Sequence, residues 1–448
     1  MQIAVVVLFF IAITVSFYFA AGTLSLRYLN IISITYYVYL LTCYLGASLV
    51  YLGFARDHYI ILTFSENLIE QIYFFCACCG LGLGLTIIVV NYLLGIKNQR
   101  KRVLTFFNQT CNTEFDHKIF YSAVCALLIV GTVSTIYVFI YLGSIPLFDL
   151  IRYGNDDAAL TRIAATRQFG GNAYIRNIGM SAIVPLTSYC AYAGWQITKT
   201  KRWRNLFLAS AILALFALTW NLEKSPIIYY CIYLFILRMF ITPNSITWKS
   251  WVKIIGVVVI LIIISYVALS GSIDLSLSSG PLSRLIITPI GAIGQHLLCF
   301  PDYIGFLNGA SLPTFFANLI GQDEGWIRSG RVVMEVFNSR GVNEGTAGVM
   351  NAFFSCEAYA NWGYIGVFTA VILVGAFIAV VNCFTMRGEK TIFKILVLIV
   401  FIDFNVASLS GGFIDYLYNM GLYMELAILW LISSLCIKPN NRKRSALV

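Results

Sequence analysis

Apolar stretches recur along the whole sequence, near 2–21, 31–52, 69–95, 119–142, 177–198, 206–222, 226–241, 254–270, 361–382, 392–410 and 418–437. A helix needs about 20 such residues to cross a hydrocarbon layer. Only 11% of the 448 residues are charged, where a soluble domain carries roughly 25%. So little polar surface cannot cover the chain in water, and lipid must solvate much of it. The expectation is an all-α polytopic membrane protein. It has about eleven transmembrane helices in a single integral membrane domain over 1–448, plus re-entrant or interfacial helices in a large outer loop. The start, Met1-Gln2-Ile3-Ala4, has neither a basic leader nor a cleavage site, and reads as a first span.

Lysine and arginine orient the spans, because positive residues stay on the cytoplasmic side. Arg27, Lys97–Lys118, Lys199–Arg204, Arg238–Lys253, Arg387–Lys394 and Lys438–Arg444 hold twenty of the thirty basic residues and fall in alternate loops. That places the N-terminus outside and the C-terminus inside. The net charge of +10 therefore reads as topology, and no nucleic-acid partner is expected. Two long segments remain outside, 143–176 and 271–360. Long connections are usually functional. The second holds an apolar stretch at 285–307, interrupted by Pro289 and Pro301. It must begin and end outside, since 271 follows the Lys249/Lys253 loop and 361–382 must run inward to Arg387.

Ten basic residues fall outside, and nine are arginine: Arg56, Arg152, Arg162, Arg167, Arg176, Arg284, Arg328, Arg331 and Arg340, with Lys224 the exception. Positive charge resists translocation, so the surplus needs a reason. The guanidinium fork matches phosphate oxygens two at a time, which points to a phosphate or diphosphate site at the outer face. The competing reading is local pairing, with Arg152–Asp156 and Arg331–Glu335 both at i,i+4 spacing.

Four further features carry possible chemistry. The short turn Asn221-Leu222-Glu223-Lys224-Ser225-Pro226 sets a charged pair against hydrocarbon, either a helix cap or a site. Asn343–Gly348 and Glu357-Ala-Tyr359-Ala-Asn361-Trp362-Gly363 are acidic and aromatic, suited to an interfacial belt or to a sugar platform. His296 and His58 are lone histidines, structural or basic groups. Asp403 and Glu425 lie within spans and are functional hypotheses by default. The twelve cysteines are scattered, and the Cys76–Cys79 cluster lacks histidine or carboxylate neighbours, so no metal is expected.

Three segments together resemble one family. Gly143-Ser-Ile-Pro146-Leu opens the first outer loop, Trp220-Asn-Leu-Glu223-Lys224-Ser225-Pro226 precedes a span, and Glu357-Ala-Tyr359-Ala-Asn361-Trp362-Gly363-Tyr364-Ile-Gly366 leads into another. They resemble motifs of the O-antigen polymerase (Wzy-type) family of oligosaccharide repeat-unit polymerases over about 140–380. Lys224 stands where that family often has Arg, and Trp362 where it has Phe. The family's Arg-x10-Gly pattern is not intact: nine residues separate Arg331 from Gly341 and Arg284 from Gly294.

The resemblance implies a glycosyltransferase of the bacterial inner membrane with its loops in the periplasm. Growing glycan on undecaprenyl diphosphate would be the donor and a single lipid-linked repeat unit the acceptor. A chain-length regulator would be a partner, and no cofactor or metal is implied. Arg162, Arg167, Arg176, Lys224, Arg284, Arg328, Arg331 and Arg340 would hold the diphosphate. Glu344, His296 and Glu357 are the candidate bases, and Tyr359, Trp362 and Glu223 the sugar contacts. A flippase or transporter using Asp403 and Glu425, or a related O-antigen ligase, are the alternatives.

Overall fold

The computed structural model describes residues 1–153, 162, 165, 169–242, 247–270, 274–350 and 353–436. Among the described residues it is 77% helical with no strands, and it has eight helices long and apolar enough to cross a membrane. The protein is therefore an all-α polytopic membrane protein. Eleven was the expectation. Among the described residues Ile183–Thr198 and Ser225–Ile241 form apolar helices of 16 and 17 residues, short of a full crossing by length alone. Large side chains such as Ile255, Ile260 and Ile264 of the Trp248–Ser270 helix are exposed. An apolar surface of that kind belongs against lipid.

Within the expected single domain the chain divides into two compact units. The first comprises Met1–Val103, Ile273–Phe384 and Phe404–Asn419. Its helices Gln2–Ala21 and Glu66–Leu93 cross closely because Gly84 has no side chain. A Cβ there would stand 2.2 Å from Ser16 Oγ, the small-residue contact on which packing in lipid depends. Some polar groups inside this unit bond across helices, which offsets the cost of burying them in a low-dielectric interior. Asn405 donates to Thr35 Oγ1 at 2.9 Å and accepts from the Tyr416 hydroxyl at 2.9 Å.

The Gly280–Tyr303 run is long and apolar enough to cross, yet its neighbours keep both its ends at one end of the unit. Just before it, Ser278 donates to Asp57 in the 52–65 turn. Midway, Ile60 and Phe64 of that turn pack on Gly291 and Gly294. Just after it, the Leu307 and Asn308 amides donate to the Ala360 and Asn361 carbonyls at 2.9 and 3.1 Å. Residue 360 and the 52–65 turn lie at the same end, where Gln71 reaches the Tyr364 hydroxyl at 2.7 Å. The contacts before, within and after the segment thus all lie at the end of the unit that carries the 52–65 turn.

The Phe354–Met386 helix breaks at Trp362 (φ −141, ψ 22) and Gly363 (φ 60, ψ −148). The glycine takes a backbone conformation that a side chain would disfavour. The break turns 354–361 into a separate short element carrying Glu357, Tyr359 and Asn361.

The second unit comprises Leu104–Ser272, Thr385–Asp403 and Met420–Val448. His117–Tyr141, Ile183–Thr198, Lys201–Thr219, Ser225–Ile241 and Met420–Cys436 are its long helices. Ser188 and Tyr230 share a 2.5 Å hydrogen bond in its interior. Asp403 and Glu425 both belong to this unit.

Candidate functional site

The first unit brings together one arginine and two acids that lie far apart in sequence. Arg328 sits immediately before the Ser329–Phe337 helix. Its NH1 donates to Glu357 Oε1 at 3.2 Å and its NH2 to Asp415 Oδ1 at 2.7 Å. Glu357 is buried, at 4% exposure, and its second oxygen accepts from the Ile414 amide at 3.1 Å. Both its oxygens are thus committed: one fixes Arg328, the other fixes the turn that carries Asp415. Asp415 is 21% exposed and Arg328 35%. Asp415 Oδ2 has no hydrogen-bond partner among the described residues. One guanidinium between two carboxylates leaves a net negative charge, with Asp415 the more exposed of the two acids.

Local sequence makes this geometry possible. Gly412 lies against the pair, and a Cβ there would stand 2.2 Å from Glu357 Oε2. Asn361 ties the loop below in place. It accepts from the Gly309 amide at 2.9 Å and donates to Ser311 Oγ at 3.0 Å and to the Glu357 carbonyl at 2.8 Å. Ser311 then donates to the Ile327 carbonyl. Trp326, two residues before Arg328, has a positive φ of 63, a strained conformation for a bulky residue. Its amide is held by the Leu312 carbonyl at 2.8 Å, and its exposed ring lies 5.6 Å from that of Tyr418.

The other candidates fall into distinct places. His296 is buried, with Nδ1 at 2.8 Å from the Ala292 carbonyl and Nε2 at 3.2 Å from Ser329 Oγ. Both ring nitrogens are occupied, which leaves no lone pair aimed at a substrate. Arg340 and Glu344, expected as a diphosphate ligand and a base, pair with each other at 2.7 Å on an exposed turn. Arg331 pairs with Glu335 at 2.9 Å, the local alternative that its spacing allowed. Arg284 is exposed and makes no salt bridge among the described residues. Tyr359, expected as a sugar contact, is buried among Phe75, Phe306 and Tyr364. Trp362 is half-buried with its ring 5.8 Å from Phe413.

In the second unit Arg162 approaches Glu223 at 3.7 Å, and Glu223 also accepts from Asn221 at 3.0 Å. Arg176 donates to Asn177 at 3.1 Å and lies over the Phe169 ring at 4.9 Å. Lys224 is at the N-cap of the Ser225–Ile241 helix, with Pro226 in the first turn. Arg167, and Asp156 of the expected Arg152 pair, lie outside the described residues.

Sequence reasoning missed Asp415. It occupies a 412–419 connection too short to read as a loop of interest, and its only signal is an acid just past Gly411-Gly412 at a span's end. Neither a family model, nor a curated protein, nor a solved structure matches the chain. What fold and site define is a multi-pass α-helical membrane protein with a charged cluster at the end of one unit that bears its longest loop.

Proposed function

We propose that the protein polymerises lipid-linked oligosaccharide repeat units at the periplasmic face of a bacterial inner membrane. The growing glycan on undecaprenyl diphosphate is transferred to the non-reducing end of a new lipid-linked unit. The observation that carries this reading is the Arg328–Glu357–Asp415 cluster, with an exposed tryptophan beside it, at the loop-bearing end of a membrane unit. A carboxylate facing solvent accepts a sugar hydroxyl, and an aromatic face stacks on a pyranose ring. An outer surplus of arginine suits the diphosphate on both lipids. Arg284 is the member of that set best placed for it, since it is exposed and makes no salt bridge among the described residues. Holding two lipid-tethered substrates in one place supplies much of the rate by itself.

The test is deletion of the gene in its host, with analysis of surface glycan. Glycans one repeat unit long on the surface lipid are expected. Loss of all surface glycan with lipid-linked units trapped inside would point to a flippase, and full-length glycan left unattached to the lipid core to a ligase.

A further inference from the structure

We propose that Asp415 is the general base of the transfer, with Arg328 and Glu357 as its positioning residues; this rests on the polymerase reading above. A base must present a free lone pair to the hydroxyl it deprotonates. Glu357 cannot, because Arg328 and the Ile414 amide take one oxygen each and the group is buried. His296 cannot, because the Ala292 carbonyl and Ser329 occupy its two nitrogens. Glu344 is engaged by Arg340 on the surface. Asp415 differs from all three: Arg328 fixes Oδ1 at 2.7 Å, while Oδ2 belongs to a partly exposed side chain, lies beside Gly411 and has no hydrogen-bond partner among the described residues.

The rest of the cluster serves that one oxygen. Glu357 holds Arg328 from behind, and through Ile414 it also holds the first residue of the Ile414–Leu417 turn on which Asp415 sits. Arg328 thus cannot swing away, nor can the turn rotate, without breaking a bond to a buried carboxylate. The cluster's net negative charge disfavours diphosphate binding at Arg328 itself and favours a neutral sugar hydroxyl. In the step proposed, the acceptor hydroxyl oxygen forms the new bond to the donor's anomeric carbon. The bond from that carbon to the diphosphate oxygen breaks, the diphosphate leaves with the electron pair, and the hydroxyl proton passes to Asp415 Oδ2. No oxidant, metal or nucleotide enters the balance.

The experiment uses the full chain in native membranes supplied with lipid-linked repeat units, scored by initial rate of glycan extension. Asp415→Asn keeps the shape and the acceptor for Arg328 but takes no proton. Its rate should fall by about 100-fold to 10,000-fold, the usual worth of a general base, with the acceptor KM and the amount of protein unchanged. Asp415→Ala should regain part of its rate in formate and none in chloride, a rescue that a structural role would not give. Glu357→Gln should lose about tenfold in kcat and still respond to pH as the wild type does. Extension by Asp415→Asn within threefold of wild type overturns the assignment alone. Absence of extension by wild-type membranes, with unchanged glycan in the deletion strain, overturns the polymerase reading and this assignment with it.

Discussion

Replacing Gly412 with alanine tests the packing that supports the cluster. The added Cβ would lie 2.2 Å from Glu357 Oε2 and 3.2 Å from Arg328 NH1. Glu357 is enclosed and bonded through both oxygens, so it cannot swing aside without losing the Ile414 amide or the guanidinium. Losing one hydrogen bond to a charged group costs about 1.5–3 kcal/mol. If the lost bond positions Asp415, that corresponds to about a tenfold to hundredfold lower rate. Leaving the buried carboxylate unpaired costs about 3–5 kcal/mol of stability. Gly412→Ala should therefore extend glycan at least tenfold more slowly and unfold in detergent several degrees below wild type. Gly411→Ala would set its Cβ 2.9 Å from Asp415 Oδ2, the proposed base, so it should slow extension while costing less stability, because it leaves the bonds of Glu357 intact. Gly305→Ala, with nothing within 4 Å, is the control. Extension assays at matched membrane levels, with thermal unfolding of the purified variants, give the answer. Wild-type rate and midpoint for Gly412→Ala would refute the claim that this packing organises the site.

The remaining expectations concern charge. Arg284→Ala should shorten glycan chains and Arg284→Lys should restore them only in part, because lysine lacks the fork that grips two oxygens. Arg331→Ala and Arg340→Ala, each removing one exposed i,i+4 pair, should leave chain length unchanged; a full-length pattern in Arg284→Ala would dismiss its diphosphate role. Lys390 is buried in the loop before the Ile392–Gly411 helix, with Nζ 3.3 Å from the Gln109 carbonyl and 4.8 Å from the Phe106 ring. Burial pushes its ammonium down to about 8, only partly offset by the nearby Cys111. The folded state therefore sheds this proton before the unfolded state does. Below about pH 8 the penalty for burying the charge is present in full, and it is relieved as pH rises toward lysine's ordinary range. Lys390→Met should thus unfold at a higher temperature than wild type at pH 7, and its advantage should shrink by pH 10. A gap that stays constant or widens between those pH values would contradict this account.

The sequence by itself determined that this is a helical, multi-pass membrane protein, because the length of an apolar run is a one-dimensional property and lipid reads it directly. Charge parity gave the expectation that the 285–307 stretch begins and ends on one side, and the i,i+4 spacing of Arg331 and Glu335 announced their pairing. Only tertiary structure decided which charges form the site. Arg328, Glu357 and Asp415 come from three segments separated by 29 and 58 positions, and no local pattern links them. Their meeting depends on the break at Trp362–Gly363 and on the space left by Gly412. Tyr359 shows the same limit from the other side. Its composition suited a sugar platform, but whether an aromatic ring faces water or a core depends on what packs over it, and here Phe75, Phe306 and Tyr364 do. Burial and the free lone pair of a carboxylate are properties of the surroundings, so they appear only once the chain has folded.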